Sequence, residues 1–531
     1  ALAAGFLALI VSRGSSMLVE GIEELKAMTG KWENAICMAS GFVAGLLMGF
    51  NGFMWSQSVI VEVYLFGVLS FMLVLVFLLR WIYAPHQMRY AYWALFMFGI
   101  CFTNHQSLIV AAIGVEVAIA AGNPKLGRDV FFGNFVIYLL YNLITLYIGH
   151  HVFANLGAKP GLLLIFHAVG VGSLVASCWL MTKTKGFLSE WLPVIILGCL
   201  WILGASFYFY MPIAGMTNPP IQWGYPRTVE GFLHALTRGQ YEQPNPTNLV
   251  TEPGRFFNQL VMLLGNIGDE FTLVYGFLAL IPFIFFFKMQ RRERAWIIGL
   301  CAIYLCLGVL LMILLNPNPD RASADLVKVF FTASHTVVAA LVGYGLALTA
   351  AFMATHYQNF RRWGLIGGAI AVVLAAYELF NDTHKVYFGE TAPWSFSGII
   401  HQIAQAFHPH QYGLPVYADL LLLAMTFVFL GAVLFYRGRG PLFILLTLFV
   451  LMPVNPMLSN WSDEEQRGHM FGYWFGHDMF TPPFKGKNDK PLYPEMAPNA
   501  VLYGGTDPGR FCPTYMIFCE SFTPHKQQPK E

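Results

Sequence analysis

Residues 59–80 read VIVEVYLFGVLSFMLVLVFLLR, an apolar stretch with a glutamate near its start and an arginine at its end. A helix of about 20 residues crosses the hydrocarbon core of a bilayer, which is about 30 Å thick. The stretch therefore predicts a membrane-spanning helix. Other apolar runs lie before and after it in the chain, at 34–51, 88–101, 106–122, 129–148, 160–181, 187–209, 270–288, 294–316, 328–355, 362–380, 414–436 and 440–456.

The composition of the whole chain agrees with a protein embedded in a bilayer. Of its 531 residues, 56% are apolar and 11% are charged, whereas about a quarter are charged in an ordinary soluble domain. With 31 basic and 29 acidic residues, the net charge of +2 gives no sign of nucleic-acid binding. Disordered and disulfide-rich proteins are excluded, because the chain is too apolar and has only 8 cysteines. We therefore predict an all-α polytopic membrane protein of about 13–14 helices.

Two regions depart from regular spans. The run at 1–12 is too short to cross the bilayer and does not start with methionine. We therefore expect the natural chain to begin earlier, with one more helix and its outer loop. The runs at 88–101 and 106–122 are also short, and the polar triplet Asn104-His105-Gln106 separates them. We expect two half-length helices that meet inside the membrane.

Basic residues are unevenly distributed between the loops. They are dense in every second loop, for example around Arg80, Lys288 and Arg361, and sparse in the longer loops between these. Because loops rich in lysine and arginine stay in the cytoplasm, we predict that the long loops 210–268 and 381–413 are extracytoplasmic. Both contain segments with the periodicity of amphipathic helices.

The chain becomes more polar after residue 456. We therefore predict a transmembrane domain at 1–456 and an extracytoplasmic tail at 457–531. Within the tail, NAVLYGGTDPGRFCPTYMIFCE at 499–520 indicates a strand, a glycine loop and a helix. One strand and one helix do not bury a core alone. We therefore expect the tail to be the incomplete start of an α/β domain.

The segment WSQSVIVEVY at 55–64 contains the first candidate for chemistry. Glu62 is predicted about one turn into a membrane helix, with Trp55 in the short loop before it. Ionisable residues at such positions are costly and are often functional. Glu62 is therefore a candidate general base that deprotonates an acceptor hydroxyl. The alternative is a structural role, in which its carboxylate caps the start of the helix.

The segment FTNHQSLIV at 102–110 contains the second candidate. If the helix breaks at Thr103-Asn104, His105 and Gln106 occupy the first turn of the next helix. Free backbone amides at a helix start, together with a histidine, are suited to binding a phosphate. The alternative is that Thr103 or Asn104 is an ordinary N-cap and that His105 is a satisfied polar residue.

The segment NPNPDRASADLVK at 316–328 contains the third candidate. Asp320, Arg321, Asp325 and Lys328 cluster there at a predicted helix start. The guanidinium of Arg321 suits bidentate phosphate binding. The alternative is a capped helix start with a surface ion pair, which contributes less than about 1 kcal/mol.

No motif for a resident metal or cofactor is present in the sequence. It contains no HExxH, CxxC or GxSxG pattern. The GGTDPGR loop at 504–510 lacks the lysine and serine or threonine of a phosphate-binding P-loop. We therefore predict no cofactor and no dedicated metal site, and leave the need for a divalent ion open.

Four segments together resemble the protein O-mannosyltransferase-like membrane family. They are WSQSVIVEVY, FTNHQSL, the tail segment, and NPPIQWGYPRTVEGFLHALTRGQYE at 218–242, which is the most specific. This family is similar to the GT-C glycosyltransferases. The resemblance implies a bundle with an extracytoplasmic active site, in the inner membrane of a bacterium. It also implies a polyprenyl-phosphate-linked sugar as donor and a protein hydroxyl as acceptor, with membrane lipids around the bundle.

The resemblance implies roles for individual residues. Glu62 and His105 are the candidate catalytic residues, and Trp55, Gln106, Arg321 and Asp325 are the candidate substrate-binding residues. The family's acidic residue in the first outer loop is expected to lie before Ala1. The main alternative is a non-catalytic membrane scaffold or accessory subunit of a larger complex. A transporter is the third alternative, but it would require broken helices in two related halves.

Overall fold

The structure is a computed structural model of the chain. It describes residues 1–522 with gaps at 29, 61–62, 152–155, 157–158, 220–224, 240–243, 319, 389–394, 407–412, 437–439, 487 and 504–506. The chain divides into two compact units, Ala1–Glu464 and Glu465–Glu531. All the helices long and apolar enough to cross a membrane lie in the first unit.

The described residues form helices and no β-strand. Short 3₁₀ turns at 106–111, 206–209, 286–288 and 328–331, and a π-helical turn at 305–310, join some of the helices into longer rods. The helices are, in chain order, α1 (Leu2–Glu20), α2 (Gly30–Gly49), α3 (Gly52–Val59), α4 (Tyr64–Tyr83), α5 (Met88–Asn104), α6 (Ala112–Gly122), α7 (Pro124–Ile148), α8 (Pro160–Thr184), α9 (Trp191–Ala205), α10 (Tyr210–Met216), α11 (Val229–Leu236), α12 (Pro253–Ala279), α13 (Ile281–Phe285), α14 (Arg291–Tyr304), α15 (Leu311–Leu315), α16 (Arg321–Val327), α17 (Thr332–Thr355), α18 (Tyr357–Phe388), α19 (Phe396–Ala406), α20 (Leu414–Phe435), α21 (Gly440–Leu451), α22 (Val454–Glu464), α23 (Phe471–Phe480) and α24 (Asp507–Phe518).

The predicted class of an all-α polytopic membrane protein is confirmed. In the described residues, 11 helical segments are long and apolar enough to cross a membrane, or up to 12 if the bent pair α2–α3 is one span. The prediction that the first apolar run is too short was wrong. Helix α1 has 19 residues, because it continues past Arg13 with Ser15 on its buried face.

The short helices α5 and α6 form a hairpin that spans the bundle. Helix α5 begins beside the end of α4, where the Arg80 guanidinium lies 5.4 Å from the centre of the Tyr90 ring. It ends beside the start of α4, where Asn104 Nδ2 donates to the Phe66 carbonyl at 3.3 Å. Seventeen helical residues extend about 25 Å. The turn at His105 therefore lies level with the start of α4, and this is where α5 and the segment leading into α6 meet.

Helix α17 is the central element of the bundle. In its apolar part, 83% of the residues are buried, and α1, α2, α12, α14 and α18 pack around it. Its sequence is rich in alanine and glycine, so neighbouring backbones can approach it closely. The Tyr344 hydroxyl links two of these neighbours, because it accepts from Trp296 Nε1 at 2.9 Å and donates to the Ile10 carbonyl at 3.3 Å.

Charged residues join the helices at one end of the bundle, which we call the basic end. Lys288 pairs with Glu24 at 2.7 Å, and Arg292 pairs with Glu20 at 3.1 Å. These pairs are substantially exposed, so each contributes less than about 1 kcal/mol. Their geometry shows that the end of α1 and the start of α14 meet at the same end as Arg80.

A buried ion pair holds the loop after α8 against α7. Arg128 donates to both carboxylate oxygens of Asp129, at 2.6 and 3.0 Å. It also donates to Thr184 Oγ1 and Ser189 Oγ, each at 2.9 Å. Both charged side chains are only 1% exposed. Every part of this network is therefore needed to compensate for the loss of water around the two charges.

The second unit does not contain the predicted β–α arrangement. Helix α24 lies at 507–518, within the segment where the sequence indicates a helix. The predicted strand before it is absent from the described residues, because Val501 and Tyr503 are 76% and 91% exposed and no second strand pairs with them. Helices α23 and α24 instead pack on one another, and the hydroxyl of Tyr515 donates to Glu520 Oε2 at 3.1 Å.

The Arg128 network gives a prediction for stability. Replacing Arg128 by methionine leaves the buried Asp129 carboxylate without its cation, so we expect the free energy of unfolding to fall by about 3–5 kcal/mol. The exposed Arg89, replaced in the same way, is the matched control and should change it by less than about 1 kcal/mol. Equilibrium unfolding of the purified, detergent-solubilised protein measures both. Equal effects of the two substitutions would contradict a structural role for the network.

Candidate functional site

Helix α3 lies across the end of the bundle opposite to the basic end, after a 60° bend from α2. Asn51 caps its start, because its side-chain oxygen accepts the amide of Met54 at 3.3 Å. The amide of Phe53 donates to Glu270 Oε2 at 3.2 Å, so a carboxylate from α12 completes the cap. A Cβ atom at Gly52 would lie 3.1 Å from both oxygens of Glu270. Glycine therefore lets the Glu270 carboxylate approach this closely without a shift of its side chain.

Lys328 balances the charge of Glu270. Its Nζ atom lies 3.6 Å from Glu270 Oε1 and 4.6 Å from the centre of the Phe53 ring. The glutamate side chain is 6% exposed, whereas the lysine side chain is 38% exposed. The carboxylate is therefore enclosed and engaged, while the ammonium remains accessible from outside the bundle.

His335 lies beneath α3 and completes this group of residues. Its ring centre is 4.4 Å from that of Phe53 and 5.6 Å from that of Phe271. It is 3% exposed, and neither ring nitrogen has a hydrogen-bond partner among the described residues. The positive charge of Lys328 interacts electrostatically with the His335 ring. Phe53, Glu270, Lys328 and His335 are called the α3 cluster below.

A second group of residues surrounds the turn between α5 and α6. His105 has extended backbone angles, φ −149° and ψ 109°, and Ser107 Oγ lies within hydrogen-bond distance of its Nδ1. Its ring centre is 4.8 Å from that of Tyr64 and 5.5 Å from that of Phe330. The rings of Tyr64 and Phe330 lie 6.0 Å apart. These four residues are called the His105 cluster.

The segment that contains α11 packs against this turn. Gln106 Nε2 donates to the carbonyl of Leu236, the last residue of α11, at 2.8 Å. Arg238 follows two residues later, and its charge acts on His105. The hydroxyl of Tyr208 donates to the Phe102 carbonyl at 3.1 Å, on the other side of the turn. The end of α11 is therefore anchored directly on the break in the α5–α6 hairpin.

The structure brings together the chain segments that carry the three sequence candidates. Tyr64 lies two residues after Glu62, and Phe330 lies in the 3₁₀ turn that follows α16. Both contact His105. Glu62 itself lies outside the described residues, as does the side chain of Arg321, whose backbone forms the start of α16. The roles given to Glu62, His105 and Arg321 therefore stay predictions.

The remaining candidates occupy different surroundings. The sequence predicts Trp55 in a short loop, but the structure places it within α3. Its ring packs against Trp461 and Phe50, with centres 5.9 and 5.5 Å apart. Asp325 is exposed on α16. Asp320 is the N-cap of α16, because it accepts the amide of Ser323 at 2.9 Å, as the structural alternative for that segment predicts.

Sequence reasoning missed three residues of the α3 cluster, two ionisable and one aromatic. Glu270 and His335 are ionisable residues in long apolar runs, which is the signal that identifies intramembrane functional groups. The apolar periodicity around them gave no reason to place them together. Their partner across the cluster, Phe53, carries no such signal, because an aromatic ring in an apolar run is typical of any membrane helix.

The site end of the bundle can bind an anion but offers no accessible carboxylate among the described residues of the two clusters. The side chain of Lys328 is partly exposed, and the positive charge of Arg238 interacts electrostatically with His105 in the neighbouring cluster. Two cationic side chains near one rim favour a phosphate or a comparable anion. Glu270 accepts an amide and pairs with an ammonium, so it is engaged as a structural cap.

Comparison with known proteins gives one finding. Residues 1–125 match the family described as the N-terminal domain of protein O-mannosyl-transferase TMEM260. This agrees with the resemblance seen in the sequence, and the matched residues include α3, Tyr64 and the turn at His105. No curated protein and no solved structure matches the chain.

The cap on α3 gives a second prediction for stability. Replacing Glu270 by alanine leaves the Phe53 amide and the Lys328 ammonium without their acceptor. We expect a loss of about 3 kcal/mol in the free energy of unfolding. The neighbouring Asp269 is the control, because its carboxylate is 65% exposed and pairs with Lys385 at 3.2 Å. Asp269→Ala should cost less than about 1 kcal/mol, and equal losses would refute the cap.

Proposed function

We propose, from the match of residues 1–125 to an O-mannosyl-transferase domain, that the protein is a membrane glycosyltransferase. It transfers a sugar from a polyprenyl-phosphate donor to a hydroxyl group of a protein. The reaction takes place at the end of the bundle that carries the His105 and α3 clusters. The excess of basic residues in the opposite loops supports an extracytoplasmic location for this end.

The convergence of distant segments on His105 carries the proposal. Tyr64, Leu236 and Phe330 come from widely separated parts of the chain. Tyr64 and Leu236 lie within segments that carry the resemblance, and Phe330 follows the third candidate segment at 316–328. The ring contacts of His105 and the bond between Gln106 and Leu236 bring these motifs to one turn. Packing alone does not require polar residues at such a junction, whereas a site for a polar substrate does.

The proposed chemistry follows from the groups near this turn. The acceptor oxygen forms a bond to the anomeric carbon of the sugar, and the bond between that carbon and the phosphate oxygen breaks. The acceptor proton passes to a base, for which Glu62 and His105 are the candidates. The phosphate leaves with the electron pair, and cationic groups stabilise its charge.

The other candidate residues are assigned to substrate binding. Arg321 is the first residue of α16 and Lys328 follows its last residue. Both side chains are cationic, so we assign both to the leaving phosphate. Gln106 is held by Leu236 at the rim of the turn, and with Trp55 and Asp325 it is assigned to the sugar or the acceptor. Membrane lipids surround the bundle, so the polyprenyl chain of the donor reaches the site from within the bilayer.

One observation favours a non-catalytic scaffold as the second candidate. His105 is 8% exposed and packs between two aromatic rings. A scaffold needs such a filled junction, whereas an enzyme requires at least one ring to move aside for the substrate. The two functions therefore differ in whether substitution of His105 affects transfer or only stability.

An assay of sugar transfer separates the two functions. The substrates are polyprenyl-phosphate mannose and an acceptor peptide, and the enzyme is the full chain in native membranes. We expect His105→Ala and Lys328→Met each to lower the rate about 100-fold, because they remove a proton-transfer group and a phosphate partner. Lys26→Met is the control, because its side chain is 42% exposed and ion-paired at the basic end.

The control variant should keep its rate within about twofold, as expected for a surface ion pair. Thermal unfolding of all three variants shows whether each is folded. Full transfer activity in both His105→Ala and Lys328→Met would reject the roles given to these two residues. Wild-type membranes that transfer no more sugar than membranes lacking the protein would reject the enzyme and leave the scaffold. Transfer that is lost only together with stable folding would show that His105 and Lys328 stabilise the fold and do not act in transfer.

A further inference from the structure

Helix α12 is broken inside its membrane-spanning segment. Thr272 has φ 59° and ψ 158°, a left-handed conformation that a β-branched residue rarely adopts. The Leu273 amide would donate to the Asp269 carbonyl in a continuous helix, but it donates to Glu378 Oε1 at 2.7 Å. The break therefore releases backbone carbonyls of the first half of α12. Broken membrane helices commonly use such carbonyls to bind cations.

Three further helices place oxygen atoms at the level of this break. Helices α18 and α20 are antiparallel, because Tyr357 and Arg361 donate to the carbonyls of Tyr436 and Leu434, at 2.8 and 3.1 Å. If this antiparallel pairing is extended along both helices, Glu378 of α18 lies within one helical turn of Asp419 of α20. From α22, Asn455 Nδ2 donates at 2.9 Å to the carbonyl of the residue before Asp419.

Several of these oxygen atoms have no hydrogen-bond partner among the described residues. They are Asp419 Oδ2, Asn455 Oδ1 and Thr272 Oγ1. Asp419 is 3% exposed and Asn455 is 1% exposed. A buried polar atom without a partner is strongly unfavourable, and an unpaired carboxylate even more so. Their common level in the bundle indicates that one ligand satisfies them together.

The charges around Asp419 favour a cation. The carboxylates that act on it are those of Asp382 and Glu378, and the cation that acts on it is Lys385. Lys385 is already shared between Asp269, at 3.2 Å, and Asp382, at 3.8 Å. Several carboxylates therefore compete for one ammonium group, and the charge of Asp419 is not balanced by the described side chains.

We propose that Asp419, Asn455 and Thr272, with backbone carbonyls released at the break in α12, bind a monovalent metal cation of the size of Na⁺. In the described residues, no three His, Cys, Asp or Glu side chains come together to hold a metal ion. A calcium or magnesium ion usually requires more carboxylate ligands than one. One carboxylate with neutral oxygens suits a hard, singly charged ion.

The cation joins three helices close to the candidate site. Thr272 follows Phe271, which contacts His335, and Glu270, which caps α3. Occupancy of the cation site is therefore expected to stiffen the part of α12 that holds the α3 cluster. This inference does not depend on the proposed transfer reaction, because its ligands and its test are independent of the sugar donor.

Thermal unfolding of the purified full chain in detergent tests the site. We expect the midpoint to be about 2–4 °C higher in sodium chloride than in choline chloride of equal ionic strength. Asp419→Asn should abolish this difference. Glu116→Gln is the matched control, because Glu116 is also a carboxylate in a membrane helix but is bonded to Asn134 at 2.8 Å. The control should keep the full sodium response.

Two outcomes would overturn the proposal. One is an equal midpoint for the wild-type protein in sodium and choline chloride. The other is a sodium response that survives Asp419→Asn. If that variant does not fold, binding of radioactive sodium to the wild-type protein and to Thr272→Val decides. Saturable binding that the valine substitution weakens about tenfold supports the site, and an absence of saturable binding rejects it.

Discussion

The structure depends on one constraint: inside a bilayer, protein groups must satisfy every backbone amide and every charge. Two helices of the bundle are interrupted, at the bend before α3 and at Thr272 in α12. At each interruption a carboxylate from another helix accepts the exposed amide, Glu270 for Phe53 and Glu378 for Leu273. These two carboxylates make the breaks possible, and the breaks create the irregular end of the bundle.

The same constraint explains why the candidate motifs meet. Without the bend and the break, the WSQSVIVEVY segment and the residues around His105 would belong to straight helices and would not meet. The bend turns α3 across the bundle, and the short α5–α6 hairpin places His105 level with the start of α4. The α11 segment then packs on the turn through Gln106. Polar and cationic groups from four segments therefore share one rim.

The surroundings of the ionisable residues separate those that stabilise the fold from the candidates for binding. Glu270 and Glu378 lie in apolar helices, and both are engaged with backbone amides. Lys328, by contrast, pairs with Glu270 and still has 38% of its side chain exposed. Lys328 thus has an accessible positive charge beside a buried carboxylate. Such an arrangement is expected where an anion binds. Asp419 differs from both, because it is buried and one of its oxygens has no partner among the described residues.

The sequence by itself determined the membrane class, because apolar length is a local property of the chain. It also identified the turn at His105 and the stretch that contacts it, since both carry polar motifs in an apolar context. Only the tertiary structure decided that α1 packs into the bundle as a helix of 19 residues, that the described part of the tail lacks its predicted strand, and that Glu270 caps α3. Each of these depends on contacts between residues far apart in the chain, and helical periodicity carries no information about which distant partner a side chain meets.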